Sequence, residues 1–250
     1  ALGTDGTWPS PGGATSGFLI RHDGFSVWAD LGTGTFAALQ QHIDATDVGA
    51  VFVSHAHPDH FTDLYSLFYF REYSNYDRDP LRGLPLFCPP GFFDRVSSVL
   101  GTQAASLMAQ SLDITEVEAG DSFEAGPLRV STAPMAHPVP TLGIRAEADG
   151  AAIAYTGDTG PTDALTGLAR DTDLFLAEAS WQGSAEGFPP DLHMTAIEAG
   201  EAAARAGAAS LLLTHLRPDL DPARSVEEAR SAFDGEVVAV EKGWRGEAGR

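Results

Sequence analysis

A polar cluster follows the apolar run Val51–Ser54 and constrains the fold more than any other part of the chain. The run is predicted to end a buried strand, and the next turn holds four polar residues within six positions: His55, His57, Asp59 and His60. Imidazole nitrogens and carboxylate oxygens are ligands of zinc, iron and manganese. Alternation along an extended turn directs His55 and His57 to one side, while Asp59 and His60 reach a second point. The H-x-H-x-D-H pattern therefore predicts ligands for two metal ions, and a polar turn without metal is the disfavoured alternative.

Further metal-competent residues each follow a predicted strand, where a rigid scaffold holds a side chain in place. They are His137 after 127–134, Asp158 after 151–156 and His215 after 211–213. Together with the H-x-H-x-D-H motif, the positions of these three residues after strands make coincidence implausible. By contrast, His22 in a hairpin turn and His42 at a helix end are predicted to be solvated. Asp30 and Asp63 are candidates for orienting ligands, and helix capping or turn formation is an equal alternative for each.

The remaining pattern predicts strands interspersed with helices in both halves of the chain. Strands are predicted at 17–21, 25–30, 48–54, 84–88, 114–118, 121–124, 127–134, 141–147, 151–156, 174–177, 211–213 and 236–240. Helices are predicted near 35–43, 59–73, 92–110, 161–170 and 222–232, and Thr195-x-x-Glu198 opens another with a capping box. Loops are expected at 75–82 and 180–191, and 1–3 resembles the tail of a strand that begins upstream. Without a linker or short repeat, residues 1–250 are predicted to form one α/β domain, with packed sheets inside and helices outside.

Composition narrows the class of partner. The formal net charge is −20 and the 15 lysines and arginines are scattered, which disfavours nucleic acid as a partner and favours a small-molecule substrate. The single cysteine, Cys88, excludes an intrachain disulfide and is predicted to be a buried small hydrophobe. No apolar run is long enough to cross a membrane. We expect a cytoplasmic protein, and its oligomeric state, including a homodimer, stays open.

The order of these residues resembles the metallo-β-lactamase superfamily over essentially the whole chain. The resemblance implies a four-layer αβ/βα sandwich with two divalent metal ions at one edge of its sheets. It further implies that His55, His57 and His137 bind one metal, that Asp59, His60 and His215 bind the other, and that Asp158 bridges them. Zinc is the default ion, and manganese, iron and cobalt suit the same ligands. Because no cysteine occupies a ligand position, the pattern is more similar to the dinuclear hydrolases than to the zinc-thiolate β-lactamases.

A narrower resemblance, to the ribonuclease Z and phosphodiesterase branch, is carried by four segments. They are Leu2-Gly-Thr-Asp-Gly with Thr15-Ser-Gly-Phe-Leu, Cys88-Pro-Pro-Gly91, Glu178-Ala-Ser-Trp181 and His193-Met-Thr195. It implies that His193 is a general acid near the leaving group, with Glu178 and Asp59 orienting or charging it. The chain departs from the branch in the alanine before Glu178, in Cys88 where glycine is frequent, and in lacking a basic insertion that grips tRNA. A solvated residue before a capped helix is the alternative role for His193.

These inferences predict a dinuclear metal-dependent hydrolase, with a metal-bridging hydroxide attacking a small phosphodiester. Two metals lower the pKa of a shared water to about 7 and stabilise charge on the phosphoryl oxygens. An alkoxide leaving group benefits from protonation, which gives His193 a role. Hydrolysis of a lactone, ester or amide on the same site is the alternative. A tRNA 3′-processing endonuclease and a non-catalytic metal-binding protein are less favoured. Candidate pocket walls are 61–76 and 181–191, although the apolar side chains of 64–70 favour the core.

Overall fold

Two β-sheets form the centre of the computed structural model, which describes residues 1–74 and 80–249. The five-stranded sheet has the order β1-β2-β3-β4-β5: Phe18–His22, Phe25–Ala29, Ala50–Phe52, Leu84–Cys88 and Leu112–Glu116. The seven-stranded sheet has the order β12-β11-β10-β9-β8-β7-β6. In chain order, β6 to β12 are Ser122–Ala125, Leu128–Pro134, Leu142–Ala148, Ala151–Tyr155, Leu174–Glu178, Ser210–Thr214 and Glu236–Ala239. The strands agree with the predicted ones, except that the strand before the histidine motif is shorter than 48–54.

Eight α-helices connect the strands in the described part of the chain. They are α1 Thr35–Leu39, α2 Pro58–Phe61, α3 Asp63–Tyr73, α4 Phe92–Ser97, α5 Gly101–Ser111, α6 Ala164–Leu168, α7 Ala196–Ala206 and α8 Pro222–Arg230. The predicted helix 59–73 was wrong as a single helix, whereas 92–110 is mostly helical, as predicted. The first divides at Thr62, and the second is interrupted by a short 3-10 turn before Gly101, whose φ of 71° no regular helix adopts. Of the predicted loop 75–82 and pocket wall 61–76, residues 75–79 lie outside the described residues.

Three apolar cores separate four layers. The inner core lies between the two sheets and includes Phe52, Ile144 and Tyr155. A second core joins the outer face of the five-stranded sheet to α1, α3, α4 and α5. A third joins the seven-stranded sheet to α6, α7 and α8, where small alanines on α7 permit close packing. The predicted four-layer αβ/βα sandwich is therefore confirmed.

Sheet topology brings the predicted ligands to one edge. β7 and β9 both run antiparallel to β8, whereas β9, β10 and β11 are parallel neighbours. The carboxyl ends of β7, β9, β10 and β11 consequently share one edge of the seven-stranded sheet. The turn after β3 reaches the same edge, because the Leu142 N–H donates to the Ser54 carbonyl at 3.0 Å. Strand direction thus collects side chains that lie far apart in sequence.

Cys88 occupies the buried packing position that the sequence predicts. Cys88 is buried, and burial followed by the charge of Glu116 raises the pKa of its thiol to about 12, as expected of a packing residue. Among the helices of the described residues, none combines the length and the apolar character needed to span a membrane.

Candidate metal centre

Two groups of side chains converge at the shared sheet edge. The first cluster consists of His55, His57, His137 and Asp158, and the second of Asp59, His60, Asp158 and His215. Within each cluster, the potential ligand atoms lie within 4.8 Å of one another. All seven residues predicted as ligands are therefore brought together, and the two clusters divide them as the resemblance implied.

Asp158 belongs to both clusters because its two carboxylate oxygens face different histidines. Its Oδ2 atom lies 3.6 Å from His55 Nε2, whereas Oδ1 lies 3.0 Å from His60 Nε2 and 3.4 Å from His215 Nε2. Burial alone would raise the pKa of Asp158, yet the neighbouring His215 and His60 hold it well below its usual value. The carboxylate is thus ionised and shared between the clusters.

Unpaired buried atoms show that the clusters suit a cation. His55 Nε2, His60 Nε2 and Asp158 Oδ1 are buried, and none of them forms a hydrogen bond of suitable geometry among the described residues, although the last two lie 3.0 Å apart. Leaving a buried polar atom unpaired costs about 1–3 kcal/mol. In the first cluster, His137 Nε2 and His57 Nδ1 lie 3.0 Å apart, close to the roughly 3.3 Å between two nitrogen ligands of tetrahedral zinc. The donor set of nitrogen and carboxylate oxygen therefore fits divalent metal ions.

Hydrogen bonds behind the histidines fix which ring nitrogen faces the centre. Asp30 Oδ2 lies 2.7 Å from His60 Nδ1, and because a carboxylate only accepts, that nitrogen carries the proton. Likewise, His137 Nδ1 donates to the Leu192 carbonyl at 2.8 Å. Both rings thereby direct Nε2 at the clusters, and this is the nitrogen that binds a metal ion when it carries no proton.

Two serines orient the remaining Nε2 ligands. Ser54 Oγ donates to Asp30 at 2.7 Å and so accepts the Nδ1–H of His55 at 3.0 Å. Ser180 Oγ donates to Glu178 Oε2 at 2.9 Å and accepts the Nδ1–H of His215 at 2.7 Å. Each hydroxyl has one proton to donate, so the carboxylate behind it determines the tautomer of the histidine in front.

Glu178 and His193 form a hydrogen-bonded acid pair beside the clusters. Glu178 is fully buried and accepts the His193 Nδ1–H at 2.8 Å and the Thr159 N–H at 2.8 Å. Burial opposes protonation of His193, but the Glu178 charge and hydrogen bond raise its pKa to about 9. Trp181 packs its ring against the imidazole at 5.4 Å and 90°. With Nδ1–H held by Glu178, Nε2–H is the proton that His193 has available for transfer.

Comparison with known proteins assigns the family. The sequence profile of the beta-lactamase superfamily domain matches residues 15–216 of the chain. The chain belongs to the metallo-β-lactamase superfamily. It is 37% identical over 244 residues to the Mycobacterium tuberculosis protein Rv1339, covering 96% of this chain and 88% of that protein. It is 29% identical over 260 residues to a ribonuclease Z of Mycobacterium bovis, covering 94% and 92%.

The fold agrees with a solved member of the superfamily. The crystal structure of the metallo-β-lactamase fold protein YhfI from Bacillus subtilis superimposes with a TM-score of 0.86 at 26% identity, covering 97% of this chain and 95% of that one. The same organism's YhfI is named a probable metallo-hydrolase. Superfamily membership and these neighbours indicate a metal-dependent hydrolase.

The other candidate residues occupy different places. Asp30 binds His60, so the orienting alternative applies to it. Asp63 instead accepts the Phe36 N–H at 2.7 Å at the start of α1, which is a structural role. His22 pairs with Asp149 at 3.1 Å on the surface.

Asp59 acts on His193 through its charge, because its carboxylate bonds to other groups. Its Oδ2 atom lies 3.2 Å from His215 Nε2 and accepts the Thr7 N–H at 3.1 Å. The expected contribution of Asp59 to charging His193 is therefore electrostatic.

Three residues that the sequence did not single out also contribute to the centre. Ser180 links His215 to Glu178, Tyr155 donates its hydroxyl to Asp30 Oδ2 at 2.6 Å, and Thr7 supplies its backbone N–H. Ser180 lies two positions after Glu178, which was a usable signal. Nothing local in the sequence marks Tyr155 or Thr7.

Proposed function

We propose that this protein is a dinuclear metal-dependent phosphodiesterase that acts on a small phosphodiester. The observation that carries the proposal is the acid pair: His193 lies beside both clusters, with its Nδ1 atom 4.0 Å from Asp158 Oδ2. The clusters would hold two divalent cations, with zinc the default, one in each cluster and Asp158 between them. When bound, such ions activate water and neutralise charge on the phosphoryl group.

The acid pair supplies the proton that the leaving group needs. A phosphodiester releases an alkoxide, which needs a proton as the bond to phosphorus breaks. His193 holds that proton on Nε2, while Glu178 fixes the ring and keeps it protonated at neutral pH. After transfer, His193 is neutral and still donates Nδ1–H to Glu178, so the ring keeps its position. A lactone also needs protonation of its leaving group, but a metal-bound water or a carboxylate can supply that proton.

Charge and relatives support the kind of substrate. The net charge of −20 disfavours a polyanion such as tRNA and favours a small diester. The Mycobacterium bovis relative is named ribonuclease Z, an activity on phosphodiester bonds. Shared chemistry with a smaller substrate accounts for both observations.

The test combines metal content with turnover of two diesters. The purified protein should contain about two metals per chain and should cleave bis(p-nitrophenyl) phosphate in a chelator-sensitive manner. His193→Ala should retain both metals and lose about 10²–10⁴-fold in turnover on an alkyl-leaving diester. The loss should be smaller on the p-nitrophenyl diester, because that leaving group departs without a proton.

The outcomes separate the alternatives. His42→Ala, a histidine paired with Arg245 on the surface, is the matched control and should behave as wild type. Equal losses on both diesters would remove His193 as the acid. Faster cleavage of lactones than of any diester would favour acyl hydrolysis, and a folded protein without metal would overturn the proposal.

A further inference from the structure

The N-terminal loop, residues 5–8, is joined to the loop that follows β11. Asp5 forms a β-bridge with Leu216, and the Gly6 N–H donates to the Leu216 carbonyl at 2.9 Å. The next N–H, from Thr7, donates to Asp59 Oδ2 at 3.1 Å. The N-terminal loop therefore lies directly against the second cluster.

Backbone conformations show that this junction is closely fitted. A Cβ at Gly6 would lie 2.3 Å from the His215 carbonyl oxygen, so only glycine permits this approach. Thr7 and His215 both have positive φ, 65° and 54°, which is costly for residues other than glycine. Strained residues of this kind persist where the surroundings hold them in place.

The junction places an aromatic ring and a cation side by side at the centre. Trp8 follows Thr7 and is 45% exposed, and Arg217 lies two residues after His215. The Arg217 guanidinium carbon lies 5.8 Å from the centre of the Trp8 ring. Asp219 fixes the guanidinium through two hydrogen bonds, the Nε–Oδ1 one at 3.0 Å. An indole is rigid, so it offers a stacking surface at low entropic cost.

We propose that Trp8 and Arg217 form a subsite that recognises a nucleobase on the part of the diester that does not leave. The inference rests on the proposed function and specifies its substrate class. Consecutive Cα atoms are about 3.8 Å apart, so the Cα of Trp8 lies that far from the Cα of Thr7, whose N–H contacts Asp59. In this proposal, a nucleobase on a diester bound at the clusters stacks on the Trp8 ring.

The test compares two diesters with the same leaving group. Thymidine 5′-(p-nitrophenyl) phosphate carries an aromatic base, whereas methyl p-nitrophenyl phosphate carries none. The metal-loaded wild type should prefer the thymidine diester in kcat/KM. Trp8→Leu should lose about 5- to 150-fold on the thymidine diester, mainly through KM, the range expected for stacking of one base, and less than about 2-fold on the methyl diester. Trp8→Phe should retain most of the preference, and Arg217→Gln should reduce it.

Control and binding measurements keep the result interpretable. Val99→Ala removes an exposed apolar side chain, 72%, from the 3-10 turn before Gly101, outside the candidate pocket walls, and should leave both substrates unaffected. Binding of thymidine 5′-monophosphate to the metal-loaded protein, measured by calorimetry, should weaken in Trp8→Leu whether or not diesters are cleaved. Equal losses on both diesters, or unchanged nucleotide binding in Trp8→Leu, would overturn the subsite. Absence of diester turnover, with weakened nucleotide binding in that variant, would instead overturn the proposed function alone.

Discussion

Replacing Glu178 by glutamine removes the buried charge that holds the proton on His193, and we expect the pKa of His193 to fall. In the metal-free protein burial works against the protonated ring, and Glu178 is the largest of the influences that raise its pKa to about 9. The difference from the usual value of 6.5 corresponds to about 3 kcal/mol. A contact between unit charges at 4 Å near a protein surface is worth about 4 kcal/mol, which is of the same size.

The consequence for catalysis is a loss of acid at alkaline pH. With a pKa of about 9, His193 is about nine-tenths protonated at pH 8, whereas with a value near 6.5 it is about one-thirtieth protonated. Bound cations offset the charges of Asp158 and Asp59 and lower the pKa in both proteins, but the Glu178 difference remains. The alkaline limb of the pH–rate profile should therefore move to lower pH in Glu178→Gln, with up to about 30-fold less turnover at pH 8.

Stability provides a second measurement with a defined sign. Because the folded-state pKa of His193 is raised, its pairing stabilises the metal-free fold fully below pH 6.5, and this contribution is lost as pH rises through about 9. The free energy of unfolding of Glu178→Gln should differ most from wild type between about pH 5 and 6.5. Glu201→Gln, on the exposed face of α7, removes one charge without contacting the site and is the control. An unchanged His193 pKa by NMR titration in Glu178→Gln would refute the reasoning.

Three further predictions concern other parts of the structure. Tyr155→Phe removes a hydrogen bond to Asp30 and should lower the affinity of the second cluster for metal by about 10–100-fold in chelator competition. Tyr65→Phe, which removes the hydroxyl that donates to the Val96 carbonyl, should leave that affinity unchanged. Thr195→Ala removes the cap of α7 and should lower the free energy of unfolding in urea by about 1 kcal/mol with metal content unchanged. Loss of metal in this variant would show that the cap also shapes the centre. Cys88 should resist a thiol reagent at pH 8 until the protein unfolds, because its pKa is about 12, and rapid labelling of the folded protein would contradict its burial.

The elements and ligands that the sequence predicted correctly share a local cause. Apolar residues mark the strands, alternating with polar ones in β7 and continuous in the buried β10, and ligands such as His137 and Asp158 follow a strand end. The capping box at Thr195 is also a local pattern, and the structure shows both of its hydrogen bonds. Residues whose role depends only on nearby sequence could therefore be identified.

Roles that depend on distant contacts could not be identified from the sequence. The Tyr155 hydroxyl meets Asp30 across 125 positions, and periodicity marks Tyr155 only as an inward-facing core residue of β9. The Thr7 N–H reaches Asp59 across 52 positions through a strained turn that no turn motif announces. The break at Thr62 was likewise hidden, because the apolar positions on both sides suit one helix. Such contacts follow from how the two sheets pack, which a single sequence does not specify.

The gathering of ligands from four strand ends has a consequence for folding. His57 and His137 are 80 positions apart, and Asp59 and His215 are 156 apart, so neither cluster exists until both sheets have closed against each other. Long-range contacts of this kind form late, because loop closure costs entropy before they contribute stability. In the unfolded chain only the short stretch around His55 offers several donors together. Metal capture should therefore follow assembly of the sandwich, and global unfolding should release both ions together.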